Sequence, residues 1–140
     1  MTSRENVMYL NVEDDFEKVA DFFEYHQFSR APVYDKETDK IIGVINQKDV
    51  YACYASETKK SARELMGDAI YVSHRRLIPY ALEIIQKNKS HLAVVVDNIK
   101  EKNFLGIITL EDILEELVGE IYDEYDDLPS NVFEIGNHLY

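Results

Sequence analysis

The chain has one cysteine, Cys53, and that scarcity closes off several kinds of chemistry at once. A single thiol cannot build a disulfide framework, a CxxC motif or a thiolate zinc cluster within a monomer, so a reducing compartment, the cytoplasm, is the expected setting. Long apolar runs are missing as well. No stretch approaches the ~20 residues that cross a bilayer, and the N-terminus lacks a basic-then-apolar pattern, so neither a membrane span nor a secretion signal is expected. Positive charge is also short: 15 Lys and Arg face 27 Asp and Glu, for a net charge of −12. That field repels nucleic-acid polymers and anionic membranes. It leaves a mononucleotide open, because one or two basic groups at a helix N-terminus hold a phosphate despite the global charge.

Catalytic signatures are wanting too. His26, His74, His91 and His138 are dispersed, and no GxSxG, HExxH or Walker pattern occurs. Cys53 falls in an apolar helical stretch and is expected to pack. The acidic run Glu115, Glu116, Glu120, Asp123, Glu124, Asp126 and Asp127 lacks the Gly-containing spacing of an EF-hand and reads as a solvated tail. His74, Arg75 and Arg76 likewise read as a solvated basic cluster. Neither an enzyme nor a metal site is expected. What the chain does have is a 46% apolar fraction with ten Tyr and six Phe, enough for a core that a disordered chain of this charge would lack. Its 140 residues suit one compact domain or two small ones sharing a core.

An internal repeat favours the second arrangement. Ile42-Gly43-Val44-Ile45-Asn46-Gln47-Lys48-Asp49-Val50 aligns with Leu105-Gly106-Ile107-Ile108-Thr109-Leu110-Glu111-Asp112-Ile113, each reading as strand, then helix. Upstream, Ala31-Pro32-Val33-Tyr34-Asp35 aligns with Ala93-Val94-Val95-Val96-Asp97 as a second strand. Before those strands, Phe16, Val19, Ala20 and Phe23 in one copy and Ile78, Ala81, Leu82 and Ile85 in the other have the spacing of amphipathic helices. Asp14 with Glu17 predicts a capping box for the first, and Pro79 falls in the first turn of the second. Short apolar stretches at residues 7–10 and 70–72 predict one more strand at the start of each copy. Each copy therefore reads β-α-β-β-α, an α/β (α+β) plan repeated in tandem. A short linker helix near Ala62 turns Leu65 and Met66 inward. The apolar run at residues 92–96 predicts strands covered on both faces, so the copies should pack as one pseudo-symmetric unit.

This β-α-β-β-α repeat, with Gly-apolar-apolar-polar-x-x-Asp at the last strand-to-helix junction, resembles the CBS domain pair, or Bateman module. The stretch from Leu105 to Ile121 is similar to the second CBS domain of CorC/HlyC-type, hemolysin-related, and cyclin M-type magnesium transport proteins. Phe28-Ser29-Arg30-Ala31-Pro32-Val33-Tyr34 and the acidic Asp123-Glu124-Tyr125-Asp126 agree with that family. The resemblance divides the chain into residues 1–55, a first CBS domain, a linker at 56–67, a second CBS domain at 68–122, and 123–140. That last stretch is an acidic tail followed, from Phe133, by what resembles the start of a further domain. The chain thus looks like a piece of a longer, membrane-attached protein. Three departures stand out: Ser3 replaces a usual Pro, a charged loop at residues 98–103 replaces a Gly-rich turn, and Asn46 stands where Thr or Ser is often found.

Thr109 and Asp112 lie three apart at a helix start, near unpaired backbone N–H groups. A carboxylate can accept from both hydroxyls of a ribose, so Asp112 has the chemistry for a 2′,3′-diol, with Thr109 as a second partner. The same pair, like Asn46 with Asp49, also fits an N-cap, and the two roles coexist. The resemblance implies that Arg30, beside Ser29, holds a phosphate. Phe28 is expected to border the site, and Thr2, Val7 and Met8 to line an adenine slot. Asn46, Asp49 and His91 form a weaker second half-site, and His91 is also expected to pack or cap locally. The implied ligand is AMP or ATP, with or without Mg²⁺. The implied assembly is a homodimer attached to a membrane transport domain, compatible with the Leu- and Ile-rich helix at residues 114–121. The alternative is a ligand-free dimerisation or protein-interaction module in which the polar motifs serve only as caps.

Overall fold

A computed structural model of the chain describes residues 1–76, 80–88 and 90–124. The first repeat comprises β2 (Leu10–Asn11), α1 (Phe16–His26), β3 (Arg30–Asp35), β4 (Lys40–Asn46) and α2 (Gln47–Ser56). The second comprises β6 (Tyr71–Ser73), α4 (Tyr80–Lys87), β7 (Leu92–Val96), β8 (Phe104–Thr109) and α5 (Leu110–Glu124). Ahead of the first lies β1 (Thr2–Ser3), and between the two lie α3 (Ala62–Leu65) and β5 (Gly67–Asp68). In both repeats a parallel strand pair is joined through a helix and an antiparallel pair follows, β2 on β3 then β3 on β4, and β6 on β7 then β7 on β8. Even the irregularities repeat, with register shifts at Val33/Tyr34 and at Val95/Val96.

The two sheets run β2-β3-β4-β5 and β1-β8-β7-β6. The fourth strand of each comes from the segment leading into the other repeat: β5 pairs with β4, and β1 pairs with β8. Two glycines make room for these crossings. A Cβ on Gly106 would collide with the Thr2 carbonyl, and one on Gly43 would come within 2.8 Å of the Gly67 carbonyl oxygen and 2.7 Å of Met66 Sδ.

Alternation along the strands sorts the apolar side chains into three clusters. Ala31, Val33 and Ile45 face α1 and α2 with Phe16, Val19, Phe23, Val50 and Cys53. Ala93, Val95 and Ile108 face α4 and α5 with Ala81, Ile85 and Ile113. The other strand faces meet in a cluster that draws Ile41 and Val44 from one repeat and Leu92, Val94, Val96 and Phe104 from the other. All five residues of β7 are buried, as expected for a strand covered on both sides. Each such side chain removed from water contributes about 1.5–3 kcal/mol, so neither repeat leaves its inner face bare without large cost. Cys53 is packing material, 4% exposed.

Several local expectations are corrected. The strand expected at residues 7–10 shrinks to Leu10–Asn11, because the chain must pass from the sheet of β8 to the sheet of β3. A 3₁₀ turn at Arg4–Asn6 starts that passage, and a segment changing sheets has no ladder to join. The strand expected at residues 70–72 is displaced by one, to Tyr71–Ser73. The cap of α1 is Asp15, which accepts from the Lys18 N–H at 3.0 Å, and not Asp14. Asp14 is engaged in the preceding turn, its carboxylate accepting from the Asn11 N–H at 2.9 Å. The linker helix does begin at Ala62 with a Ser61–Glu64 capping box, and Leu65 and Met66 pack on the first core. Ile78, Pro79 and residues 125–140 lie outside the described residues. On α5, Leu114 is exposed while Leu117 packs against the second core.

At the far end of the sheets, Asp39 ties the N-terminal segment to the β3–β4 turn. Its Oδ1 accepts from Arg4 Nη2 at 2.6 Å and from the Tyr34 hydroxyl at 2.5 Å, while the Arg4 guanidinium lies 4.1 Å from the centre of the Phe104 ring. The Tyr34 hydrogen bond, then that of Arg4, hold the Asp39 carboxyl below the usual carboxylate range. A carboxylate with a depressed folded-state pKa stabilises above its unfolded pKa and loses that contribution as pH falls through the folded value. Asp39→Asn should therefore lower Tm at neutral pH, and the gap from the wild type should close on acidification; a gap constant with pH would contradict the assignment.

The glycine crossing gives a second test. Gly106→Ala should cost about 1–3 kcal/mol in denaturant unfolding, since backbone is what must move. Gly67→Ala, whose Cβ would sit 3.9 Å from the Val44 carbonyl, should stay within about 0.5 kcal/mol.

Candidate functional site

The junctions between the last strand and last helix of each repeat lie where the repeats meet. At both, the first helical N–H bonds to the residue just before the neighbouring antiparallel strand, β7 or β3: Leu110 N–H donates to the His91 carbonyl and Gln47 N–H to the Ser29 carbonyl, each at 2.9 Å. His91 thus caps through its backbone. The side chains then diverge. Thr109 Oγ1 accepts from Asp112 N–H at 3.1 Å, and Asp112 Oδ2 accepts from Thr109 N–H at 3.2 Å, a reciprocal box at the start of α5. Asn46, in the corresponding place, makes no side-chain cap bond, so the N-cap expected there is absent.

Beside the Thr109–Asp112 box lies a cleft of about 340 Å³ between the repeats. Thr2, Asn6, Val7 and Met8 form one side of it. A second side is Gln27, Phe28, Ser29 and Arg30, with Pro32. The third comes from the other repeat: Leu92, Ile107, Thr109, Glu111 and Asp112, with His91. The cleft thus gathers Thr2, Val7, Met8, Phe28, Ser29, Arg30, Thr109 and Asp112 into one lining. Their convergence follows from the fold. Pairing of β1 with β8 brings Thr2 opposite Ile107, and the left-handed backbone at Gln27, φ 55°, ends α1 and turns residues 28–30 toward the cleft. Phe28 is exposed on one side and stacked on His26, with ring planes 4° apart.

A second cleft, about 580 Å³, adjoins the start of α2. Asn46 lines it with Gln47 and Lys48, and Asp68, Ile70, Asn88 and Ser90 supply the opposite side. Ser29, Arg30 and His91 line both clefts. Asp49 lines neither. His91 Nδ1 is buried without a hydrogen-bond partner among the described residues, and Glu111 Oε1 lies 3.7 Å from it. His74 and Arg75 border a separate depression with Asp97 and Asn98. Among the described residues no cluster of His, Cys, Asp or Glu has the makings of a metal site, and no helix is long and apolar enough to cross a membrane.

Asn6, Gln27, Pro32, Leu92, Ile107 and Glu111 were not anticipated as lining. Glu111 lies within the predicted Thr109–Asp112 stretch and Ile107 two residues before it, and both could have been found there. Gln27 and Leu92 adjoin the predicted Phe28 and His91, while Asn6 enters with the segment that follows the exchanged strand β1, which leaves no local mark.

Comparison with known proteins shows the family and the fold. The family model described as the CBS domain matches residues 1–56 and 62–119. The chain is 40% identical over 129 residues to UPF0053 protein MG146 of Mycoplasma genitalium, covering 91% of this chain and 30% of that protein. It is 32% identical over 127 residues to Hemolysin C of Brachyspira hyodysenteriae, covering 91% and 46%. The chain therefore spans between about a third and a half of these relatives. Among solved structures, the CBS domain of a bacterial CNNM/CorC family Mg²⁺ transporter in complex with ATP superposes with a TM-score of 0.76 at 30% identity, over 85% of this chain and 84% of that one. A hemolysin-like protein containing CBS domain, from Oenococcus oeni PSU, superposes with a TM-score of 0.73 at 26% identity, over 84% and 85%.

The unequal helix starts predict unequal costs. Thr109→Ala should destabilise the fold by about 0.5–2 kcal/mol in urea unfolding through loss of the cap. Asn46→Ala should change it by no more than about 0.5 kcal/mol. Equal costs would contradict the asymmetry.

Proposed function

The chain belongs to the CBS domain family, as a tandem pair of the CNNM/CorC type, and we propose that it is a regulatory module that binds an adenine nucleotide in the cleft between its two repeats. The observation that carries this reading is the shared lining: an acidic helix start, an arginine and an apolar slot, contributed by segments far apart in sequence, border one cavity. Each part has a chemical match in a nucleotide. Asp112 has one oxygen, Oδ2, committed to the cap, and Oδ1 makes no hydrogen bond among the described residues, so it is open to the ribose diol beside Thr109. Val7, Met8, Pro32 and Ile107 offer an apolar place for the base, and the Arg30 guanidinium offers a fork to phosphate. The ATP complex of the related CNNM/CorC domain supports the ligand class.

The ligand would touch the segment leading into the first repeat and the helix start of the second. Binding then favours the arrangement of repeats that it fits best, and its regulatory power equals its difference in affinity between the two arrangements. In this reading residues 1–55 and 68–122 are the two CBS domains. The module sits on the cytoplasmic side of a longer Mg²⁺/Co²⁺ transport protein, pairs with a second copy and passes nucleotide occupancy, AMP or ATP with or without Mg²⁺, to a membrane domain. It has no catalytic role.

A thermal titration tests the reading. At 100 times the dissociation constant, AMP or ATP should add about 2.7 kcal/mol of stability. An unchanged melting curve with AMP, ADP and ATP, with and without Mg²⁺, would leave the ligand-free dimerisation module instead. Asp112→Asn keeps an oxygen for the Thr109 N–H but loses the charge. It should weaken binding by about 1.5–3 kcal/mol, roughly 10- to 100-fold. Unaltered affinity in that variant would remove Asp112 from the site.

A further inference from the structure

The Asp39 tie at the far end of the sheets holds more than a turn. Arg4 and Tyr9 bracket the segment whose Asn6, Val7 and Met8 form one side of the first cleft. Between those brackets the backbone joins no strand, and the Val7 N–H, donating to the Arg4 carbonyl at 3.3 Å, closes the 3₁₀ turn. Val7 is buried, but Glu5, Asn6 and Met8 are exposed. A segment with so little ladder and so little buried surface has low local stability, so the contacts that pin its two ends decide where it sits.

Both ends are pinned to one carboxylate. Arg4 Nη2 meets Asp39 Oδ1 directly. Tyr9 reaches the same oxygen through Tyr34, whose ring centre lies 4.7 Å from that of Tyr9 and whose hydroxyl donates to Asp39 Oδ1. Arg4 also donates from Nη1 to the Phe104 carbonyl at 3.4 Å while its guanidinium covers the Phe104 ring. Asp39 and Tyr34 belong to the first repeat and Phe104 to the second, so Arg4 spans both. The ion pairs of Lys59 with Glu17 and of Arg63 with Glu13 join only the first repeat and the linker. A planar fork can hold a carboxylate, a carbonyl and a ring face together, which a lysine ammonium cannot.

We propose that Arg4, Asp39 and Tyr34 are positioning residues for the cleft: from outside its lining they hold residues 6–8 in place and thereby set nucleotide affinity. The inference rests on the nucleotide reading above. It makes the β3–β4 turn a control point, because whatever separates Arg4 from Asp39 lowers the fraction of chains with that side of the cleft formed, and apparent affinity falls with the fraction.

The test is calorimetric titration of the 140-residue chain with AMP, alongside amide hydrogen exchange without nucleotide. Asp39 has a left-handed backbone, φ 58°, which Asn also adopts, so Asp39→Asn removes the charge and keeps the turn. Arg4→Ala should weaken AMP about 3- to 10-fold and Asp39→Asn about 2- to 5-fold, with Arg4→Lys between the wild type and Arg4→Ala. The Arg4→Ala/Asp39→Asn double variant should stay within about 1.5-fold of Arg4→Ala alone, since both act through one contact. Lys59→Ala, which breaks an exposed ion pair elsewhere, should leave AMP affinity unchanged. In Arg4→Ala the Val7 amide should exchange faster, while the Val94 amide, bonded to the Ile70 carbonyl in the core, keeps its rate. Unchanged AMP affinity in Arg4→Ala, an equal loss in Lys59→Ala, additive losses in the double variant, or faster exchange at Val94 as well would overturn the inference and leave the nucleotide reading in place. Failure of the wild type to bind AMP would overturn both.

Discussion

Gly43 and Gly106 hold open the space through which each repeat takes its fourth strand from the segment leading into the other. Because the exchange is reciprocal, neither sheet is complete without the other half of the chain. The inner faces of both sheets then have only each other to pack on, and the shared cluster around Val44, Val94 and Phe104 is the result. A side chain at either glycine would push the incoming backbone away. The glycine in the repeated Gly-apolar-apolar-polar-x-x-Asp motif is therefore a packing requirement imposed from a distant part of the chain.

The exchange also builds the cleft. β1 delivers Thr2 to β8, and the passage from β1 to β2 lays Val7 and Met8 alongside. Pseudo-symmetry would give two equivalent sites, but the sequence departs from symmetry where chemistry matters. Arg30 opens β3 where Leu92 opens β7, Thr109 caps where Asn46 does not, and Phe28 has Ser90 as its counterpart. These differences give one cleft the Thr109–Asp112 pair and most of the apolar lining, and leave the other polar. The fold is two-fold, and the function read from it is not.

Much of this was legible in the sequence because it is local or repeated. The continuous apolar run of β7, the helical spacing of Phe16, Val19, Ala20 and Phe23, and the Thr109–Asp112 pair are all written within short windows. The eight residues expected at a nucleotide site line one cleft, and their meeting was legible only through the family resemblance. What stayed hidden is non-local. Nothing within residues 1–12 says that Thr2–Ser3 will pair with β8 or that residues 7–9 will change sheets. The choice of Asp15 over Asp14 as cap depends on a turn that uses Asp14 first. The two clefts' shared use of Ser29, Arg30 and His91 is a property of assembled repeats and has no sequence signature.

The central claim is that a nucleotide sits between the repeats, touching both at once. Amide NMR during a titration with AMP observes this directly. Saturable shifts should appear together at residues 2–8, at Ser29 and Arg30, and at Thr109 and Asp112, all with one dissociation constant. Shifts confined to one repeat, or gathered around His74 and Arg75 and away from the cleft, would contradict it.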